Sequence, residues 1–277
     1  MKPSAFNYVR AGTIDEALQV LAREGDSAKI IAGGMSLGPM MNFRLAQPKV
    51  LIDIMQIPEL ARIREDSKGG YVEIGAGIRQ AQLLGWSDLA RLLPLFAMAL
   101  PHTGHYQTRS RGTVCGSIAH SDPSSEQVLC FATIGGSAVL QSKRGTRVVS
   151  ASAFQVGMLA TCREPEELLV AVRLPVAQKG VGYHFTEVAR RRGDFAICAV
   201  ATIAGPDFIR MGVGGVAERP TIKQWKNLQE TEIDDALNEF AWELEGSDDI
   251  HATAEYRRQL VRRLGRRSIM EAKQCRS

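Results

Sequence analysis

Long apolar runs are missing from this chain. Its longest apolar stretches, such as residues 92–100, are broken by proline and fall well short of the ~20 residues that span a bilayer. The opening Met1-Lys2-Pro3-Ser4-Ala5-Phe6-Asn7-Tyr8 has no apolar core of the signal-peptide kind, so a cytoplasmic location is expected and no membrane attachment. Cysteine is sparse. Cys115, Cys130, Cys162, Cys198 and Cys275 are odd in number and lack C-x-x-C spacing, which argues against a disulfide framework, a zinc site or an iron–sulfur cluster held by this chain alone. No G-x-G-x-x-G follows the first strand-like run, and no G-x-x-x-x-G-K-[ST] occurs, so neither a Rossmann dinucleotide site nor a phosphate loop is expected. Ser36 and Ser117 lack the G-x-S-x-G surroundings of a nucleophile. His102 and His105 lack a third metal ligand in any recognisable pattern.

What remains is an ordinary globular composition over 277 residues, 45% hydrophobic and 23% charged, enough for one large or two modest domains. Two glycine segments stand out: Ile30-Ile31-Ala32-Gly33-Gly34-Met35-Ser36-Leu37 and Gly112-Thr113-Val114-Cys115-Gly116-Ser117-Ile118-Ala119. Each is read as an apolar, strand-like run passing into a turn of small residues. Glycine lets a ligand approach the main chain closely, and successive N–H groups in such a turn can cradle an anion. Two such cradles suit a ligand with a charged centre, such as the pyrophosphate of a dinucleotide, with Ser36 and Ser117 donating to phosphate. Among 26 glycines, Gly-Gly turns that merely reverse the chain are also expected.

Thr13-Ile14-Asp15-Glu16 reads as a capping box, with Ala17, Leu18, Val20 and Leu21 as the apolar face of the helix and Gly25 as its stop. Strands are expected at 28–32 and 50–54, and a hairpin at 61–64 and 71–74. Helices are expected at 80–93, 95–100 and 125–134, with 101–111 polar and aperiodic. Further strands are expected at 138–141, 147–149 and 167–174. Beyond residue 176 the pattern predicts a meander of strands (183–189, 196–204, 208–216) and then helices at 233–243 and 251–272, an order typical of α+β domains. Positive charge gathers at Arg190-Arg191-Arg192 and on Arg257, Arg258, Arg262, Arg263, Arg266 and Arg267. Without a helix-turn-helix or an aromatic platform, the last helix is expected to be solvated or subunit-facing rather than bound to nucleic acid.

Several segments lie in the order of a known family: Ala32-Gly33-Gly34-Met35-Ser36-Leu37; Asn42-Phe43-Arg44-Leu45; Leu51-Ile52-Asp53-Ile54; Arg111-Gly112-Thr113-Val114-Cys115-Gly116-Ser117; Ala119-His120-Ser121-Asp122-Pro123 with Glu126; and Ala189-Arg190-Arg191-Arg192-Gly193-Asp194-Phe195-Ala196. Together they resemble the FAD-binding medium subunit of the molybdenum hydroxylases, the group of xanthine dehydrogenase and aerobic carbon monoxide dehydrogenase. The resemblance implies an α+β chain. A two-subdomain FAD-binding fold of the vanillyl-alcohol-oxidase type would occupy 1–175 (subdomains about 1–57 and 58–175). A smaller α+β domain with an antiparallel sheet would occupy 176–277.

By matching position, Lys29, Ile30, Ile31, Ala32, Gly33, Gly34, Met35, Ser36 and Leu37 would line the pyrophosphate and ribityl part of FAD, opposite Thr113, Val114, Cys115, Gly116 and Ser117. Thr103 would touch the cofactor from the preceding loop, Glu126 would lie near its nucleotide part, and Leu169 and Asp194 near the flavin. His120, beside Asp122, is also placed near the cofactor. No catalytic residue and no metal ligand is expected here.

Iron–sulfur clusters of a small 2Fe–2S subunit and the molybdopterin of a large subunit would sit in partner chains, in a dimer of heterotrimers. Electrons would leave through FAD to NAD⁺, O₂ or another acceptor while an aldehyde or N-heteroaromatic substrate is hydroxylated elsewhere. The competing expectations are a self-contained flavin oxidase or reductase, and a non-catalytic binding protein using its arginine-rich helix. Met35 and Cys115 depart from the family pattern, and Cys115 requires a backbone that an L-residue can adopt.

Overall fold

The computed structural model describes residues 1–276. Its first layer is a small parallel sheet in the order β1-β3-β2, formed by Asn7–Arg10 (β1), Ala28–Ile31 (β2) and Val50–Asp53 (β3). Helix α1 (Ile14–Glu24) covers it with buried Ala17, Leu18, Val20 and Leu21. Half of the expected capping box forms: Thr13 Oγ1 accepts from the Glu16 N–H (3.1 Å), but the Glu16 carboxylate reaches one residue further back and accepts from the Gly12 N–H (2.7 Å) instead of from Thr13. Gly25 ends the helix at φ +52°, where glycine carries no Cβ penalty. Two elements were not legible. β1 is mostly exposed, and α2 (Leu37–Asn42) hides in what reads as a glycine–proline turn.

The second layer is a five-stranded antiparallel sheet, β4-β5-β10-β6-β7. It contains Ile63–Asp66 (β4), Tyr71–Gly75 (β5), Ser137–Ser142 (β6), Gly145–Ser150 (β7) and Leu168–Pro175 (β10); a short pair, Gln155–Gly157 (β8) and Ala160–Thr161 (β9), lies outside it. The sheet is assembled from distant hairpins: Val172 of the central β10 lies opposite both Ile74 and Ala138. Ile74 and Val172 are fully buried, and each contributes roughly 1.5–3 kcal/mol to holding β10 in place.

Helices α3 (Gln80–Leu84), α4 (Leu89–Leu92), α5 (Pro94–Ala99), α6 (Tyr106–Arg111), α7 (Val114–His120), α8 (Glu126–Thr133) and α9 (Ala151–Phe154) complete this part. Phe131 and Phe154 meet edge to face at 6.3 Å in its core. Three expectations change here. The helix expected at 80–93 is two helices, because the chain turns at Gly85, whose N–H bonds back to Ala81 O. The aperiodic 101–111 stretch contains α6, which has no buried residue and so leaves no apolar period. The second glycine segment is no turn after a strand: it is the first turn of α7, entered from α6, with Thr113 as N-cap accepting from the Gly116 N–H at 3.0 Å. Cys115 therefore has helical backbone, which any L-residue adopts without strain.

The third layer is the meander β11-β12-β13-β14: Gly182–Ala189, Ala196–Ala204, Phe208–Gly214 and Thr221–Lys226. It is followed by α10 (Ile233–Glu243) and α11 (Ala254–Gln274). β14 escapes sequence reading because Ile222 is on its exposed face while Lys223 is half-buried, the reverse of an amphipathic strand. β12 is buried along its whole length. Alternate residues serve two cores: Ala199, Ala201 and Ile203 join that of the preceding layers, while Cys198 and Val200 join that of α10 and α11. No helix among the described residues is long and apolar enough to cross a membrane.

Candidate cofactor-binding site

A cavity of about 710 Å³ opens where the β2–α2 turn, the α6–α7 junction, the start of α8, the β9–β10 connection and residues 193–195 converge. The two glycine segments face each other directly. A Cβ on Gly33 would lie 2.0 Å from Arg111 O and 2.7 Å from Gly112 Cα, so only hydrogen permits this approach. Gly34 has φ +70°, which aims successive amides the same way. Among the described residues, the N–H groups of Gly33, Gly34, Met35 and Ser36 find no acceptor within the protein. Lys29, Ile30, Ile31, Ala32 and Leu37 complete this wall with them.

The opposite wall carries Thr113, Cys115, Gly116, Ser117, His120 and Asp122. Val114 is absent from it. Its side chain is fully buried in the core and its N–H donates to Ile78 O at 3.1 Å, so neither is left for a ligand. The Cys115 thiol also turns inward, donating to Ile74 O at 3.4 Å, and burial pushes it up to about 12. It is inert as a nucleophile. Burial likewise lowers the pKa of His120, with Asp122 opposing. Thr103 Oγ1 donates to Glu126 Oε2 at 3.1 Å, and both residues are buried. Loss of water, reinforced by Glu187, pushes the Glu126 carboxyl up to about 7. Leu169 forms part of the apolar lining with Leu159 and Leu168, and Asp194 lies at the rim beside exposed Phe195.

Five polar residues on this cavity went unseen in the sequence: Gln80, Thr108, Ser125, Thr161 and Arg163. Gln80 is buried with Oε1 unpartnered; Arg163 donates to the carbonyls of Glu164 and Glu167; Ser125 bonds Ser117, Oγ to Oγ, at 3.0 Å. Gln80 and Arg163 lie in no local motif, and Ser125 is marked locally only as the N-cap of α8. Only the fold brings them to one wall, so no sequence signal could have marked them as cavity residues.

These features fit a dinucleotide of flavin size. The volume is that of a small-molecule site, the four unpartnered amides suit a pyrophosphate, the leucines offer a face to a ring system, and the orphaned Gln80 oxygen awaits a donor. Residues 4–177 match the family described as the FAD binding domain in molybdopterin dehydrogenase, and residues 183–272 match the CO dehydrogenase flavoprotein C-terminal domain. The chain belongs to the FAD-binding medium subunits of the molybdenum hydroxylases.

The nicotine 6-hydroxylase medium subunit of Paenarthrobacter nicotinovorans is 36% identical over 98% of this chain and 99% of its own length. The carbon monoxide dehydrogenase medium chain of Afipia carboxidovorans is 33% identical over 99% and 98%. In the solved structure of carbon monoxide dehydrogenase from Hydrogenophaga pseudoflava, one chain superposes with a TM-score of 0.94 at 31% identity, over the whole of both chains.

The molybdenum hydroxylase flavin subunit is thus an α+β protein, an FAD-binding domain followed by a smaller antiparallel-sheet domain, as the sequence implied. Four of the six arginines of its α11 pair within the chain, while Arg263 and Arg267 are exposed. Arg257 is buried and donates to Ile197 O and Gly215 O; Arg258 lies over the Trp242 ring at 4.4 Å; Arg262 bonds Asn238 and Arg266 bonds Asp234. His102 and His105 also part company: His102 pairs with Glu187, and His105 packs beside Gly193.

Proposed function

We propose that this subunit is the electron exit of a three-subunit molybdenum hydroxylase. The observation that carries the reading is the direct apposition of two distant glycine segments around unpartnered amides in one flavin-sized cavity. Lys29 to Leu37 on one side, and Thr113, Cys115, Gly116 and Ser117 on the other, hold the pyrophosphate and ribityl part. Backbone N–H groups of Gly33 to Ser36 supply the donors there, so Met35 contributes without a polar side chain. Thr103, Glu126, His120 and Asp122 contact polar parts of the cofactor, and Leu169 and Asp194 flank its ring system.

FAD, once bound, can take electrons singly and give them up as a pair. The side chains of this chain bind and orient it and keep water from its apolar face. No general acid or base of this chain takes part in substrate hydroxylation.

Electrons arrive from iron–sulfur clusters of a small subunit, and an aldehyde or N-heteroaromatic compound is hydroxylated on a large molybdopterin subunit. Two relatives' names support this substrate class, the medium subunit of a nicotine 6-hydroxylase and the medium chain of a glyceraldehyde dehydrogenase, whereas carbon monoxide, in the name of another, lies outside it. The acceptor is NAD⁺, O₂ or another oxidant, the assembly a dimer of heterotrimers, the location cytoplasmic. Residues 1–175, divided near residue 57, form the flavin domain, and 176–277 the C-terminal domain. Native mass spectrometry of the intact complex tests this reading. One FAD per copy of this chain, with an iron–sulfur and a molybdenum subunit, is expected. A lone chain that turns over a substrate with O₂ would identify a self-contained oxidase instead.

A further inference from the structure

Behind the cavity wall lies a cluster of titratable groups that cofactor binding leaves unused. His102, on the loop joining α5 to α6, pairs with Glu187 of β11, Nδ1 to Oε1 3.2 Å. The Glu187 side chain is only 5% exposed, and its other oxygen, Oε2, is buried without a hydrogen-bond partner. The His102 ring also rests on Phe185 at 5.5 Å, so it packs against two residues on one face of β11. The next residue of the loop, Thr103, makes the hydrogen bond to Glu126 on the cavity wall. One tight turn therefore grips the C-terminal sheet with one side chain and the cavity carboxyl with the next.

The two carboxyls are near enough to interact: Glu187 adds to the burial that raises Glu126, and burial first, then both carboxyls, holds the Cys130 thiol well above its ordinary value. Few cations answer them. Arg192 faces His102 from beyond β11, and Arg109 on α6 is occupied by the carbonyls of Thr103 and Gly104 at 3.0 and 2.9 Å. Of the cationic side chains among the described residues, His102 is the one bonded to a carboxylate of the cluster, and its charge is removable.

We propose that His102 and Glu187 are positioning residues for FAD: their ion pair pins the 101–105 loop so that Thr103 keeps the Glu126 carboxyl facing the cofactor, and FAD is held more weakly once the pair is broken. The inference rests on the flavin site described above. The hydrogen bond and charge of Glu187 raise the pKa of His102, and burial raises that of Glu126. Both shifts favour the protonated forms. As pH rises through these values, His102 loses a positive charge and Glu126 gains a negative one. Two units of negative charge are then added beside an anionic ligand, and the loop loses its anchor.

The test is FAD titration of the flavin-stripped full chain, read by flavin fluorescence, for wild type, His102→Gln and Glu187→Gln. Wild-type Kd should rise about tenfold between roughly pH 6 and pH 9. His102→Gln should bind about tenfold more weakly already near pH 6, with a flattened profile. Glu187→Gln, the second arm should the first variant fold poorly, should move the midpoint to lower pH, because the charge that keeps both neighbours protonated is gone. Superimposable pH profiles for wild type and a folded variant would overturn the positioning role while leaving the flavin site intact. Absence of FAD binding by wild type at every pH would overturn the flavin site, and this role with it.

Discussion

Replacing Gly33 by alanine puts the heart of the site to trial. The added Cβ would lie 2.0 Å from Arg111 O, 2.6 Å from Arg111 C and 2.7 Å from Gly112 Cα, whereas ordinary contact begins at 3.4 Å. The two segments must therefore part by about 1.4 Å, the difference between 3.4 and 2.0 Å. All three clashing atoms belong to backbone, so no side-chain rotation relieves them. Overpacking of this kind costs about 1–3 kcal/mol, which should lower the Tm of the apoprotein by about 2–12 °C for a chain of this size. The effect on the ligand is larger in proportion. If the displaced turn loses one or two amide bonds to a charged phosphate, at ~1.5–3 kcal/mol each, FAD affinity should fall by roughly one to four orders of magnitude.

The assay pairs thermal unfolding of flavin-free protein with fluorescence titration by FAD. Gly38→Ala is the control. It lies in α2 with nothing within 4 Å of the added carbon, and should raise stability by about 0.5–1 kcal/mol without altering FAD affinity. A Gly33→Ala protein that binds FAD within twofold of wild type would refute the apposed-backbone reasoning.

Glu126→Gln should remove a pH dependence. The folded-state pKa of about 7 lies above the ordinary 4.5, so this group stabilises the fold at low pH relative to high pH, and the benefit disappears as pH rises through that window. The glutamine variant, which cannot ionise, should gain on the order of 1–3 kcal/mol over wild type near pH 8 and nothing near pH 4 by urea unfolding; equal pH profiles would contradict this. Alkylation of the native protein should modify exposed Cys275 and spare buried Cys115, Cys130 and Cys198 until unfolding, as peptide mass mapping would reveal. Arg257→Met should cost about 2–4 kcal/mol in chemical denaturation, because the carbonyls of Ile197 and Gly215 lose their donor and Asp249 its partner; a loss below about 0.5 kcal/mol would show that water replaces the guanidinium.

Much was legible wherever local chemistry acts alone. The Thr13 N-cap, the hairpin around Gly69-Gly70, the buried run 196–204 and helix 233–243 follow from caps, turn residues and apolar period, which operate over a few residues. Order along the chain also carried the family, since several weak motifs in sequence constrain more than any one of them. Elements without such signals were lost: β1, α2, α6 and β14 have exposed or inverted faces, and periodicity is blind to them. The second glycine segment was misread because Thr113 as an N-cap and Thr113 in a turn look alike until the following helix is seen.

The sequence by itself determined that two small-residue segments can bring bare backbone to a ligand, because glycine's missing Cβ is a property of the residue. It also determined, through the resemblance, which cofactor they would meet. That Gly33 touches the Arg111–Gly112 backbone was decided by tertiary structure, as was the inward turn of Val114 and Cys115, the arrival of Gln80 and Arg163 on the same wall, and the packing of His102 and Glu187 behind Glu126. The same holds for β10, which lies between hairpins far apart in the chain, and for β12, which serves two cores at once. Long-range pairing of that kind arises from the packing of whole layers, and no window of neighbouring residues contains it.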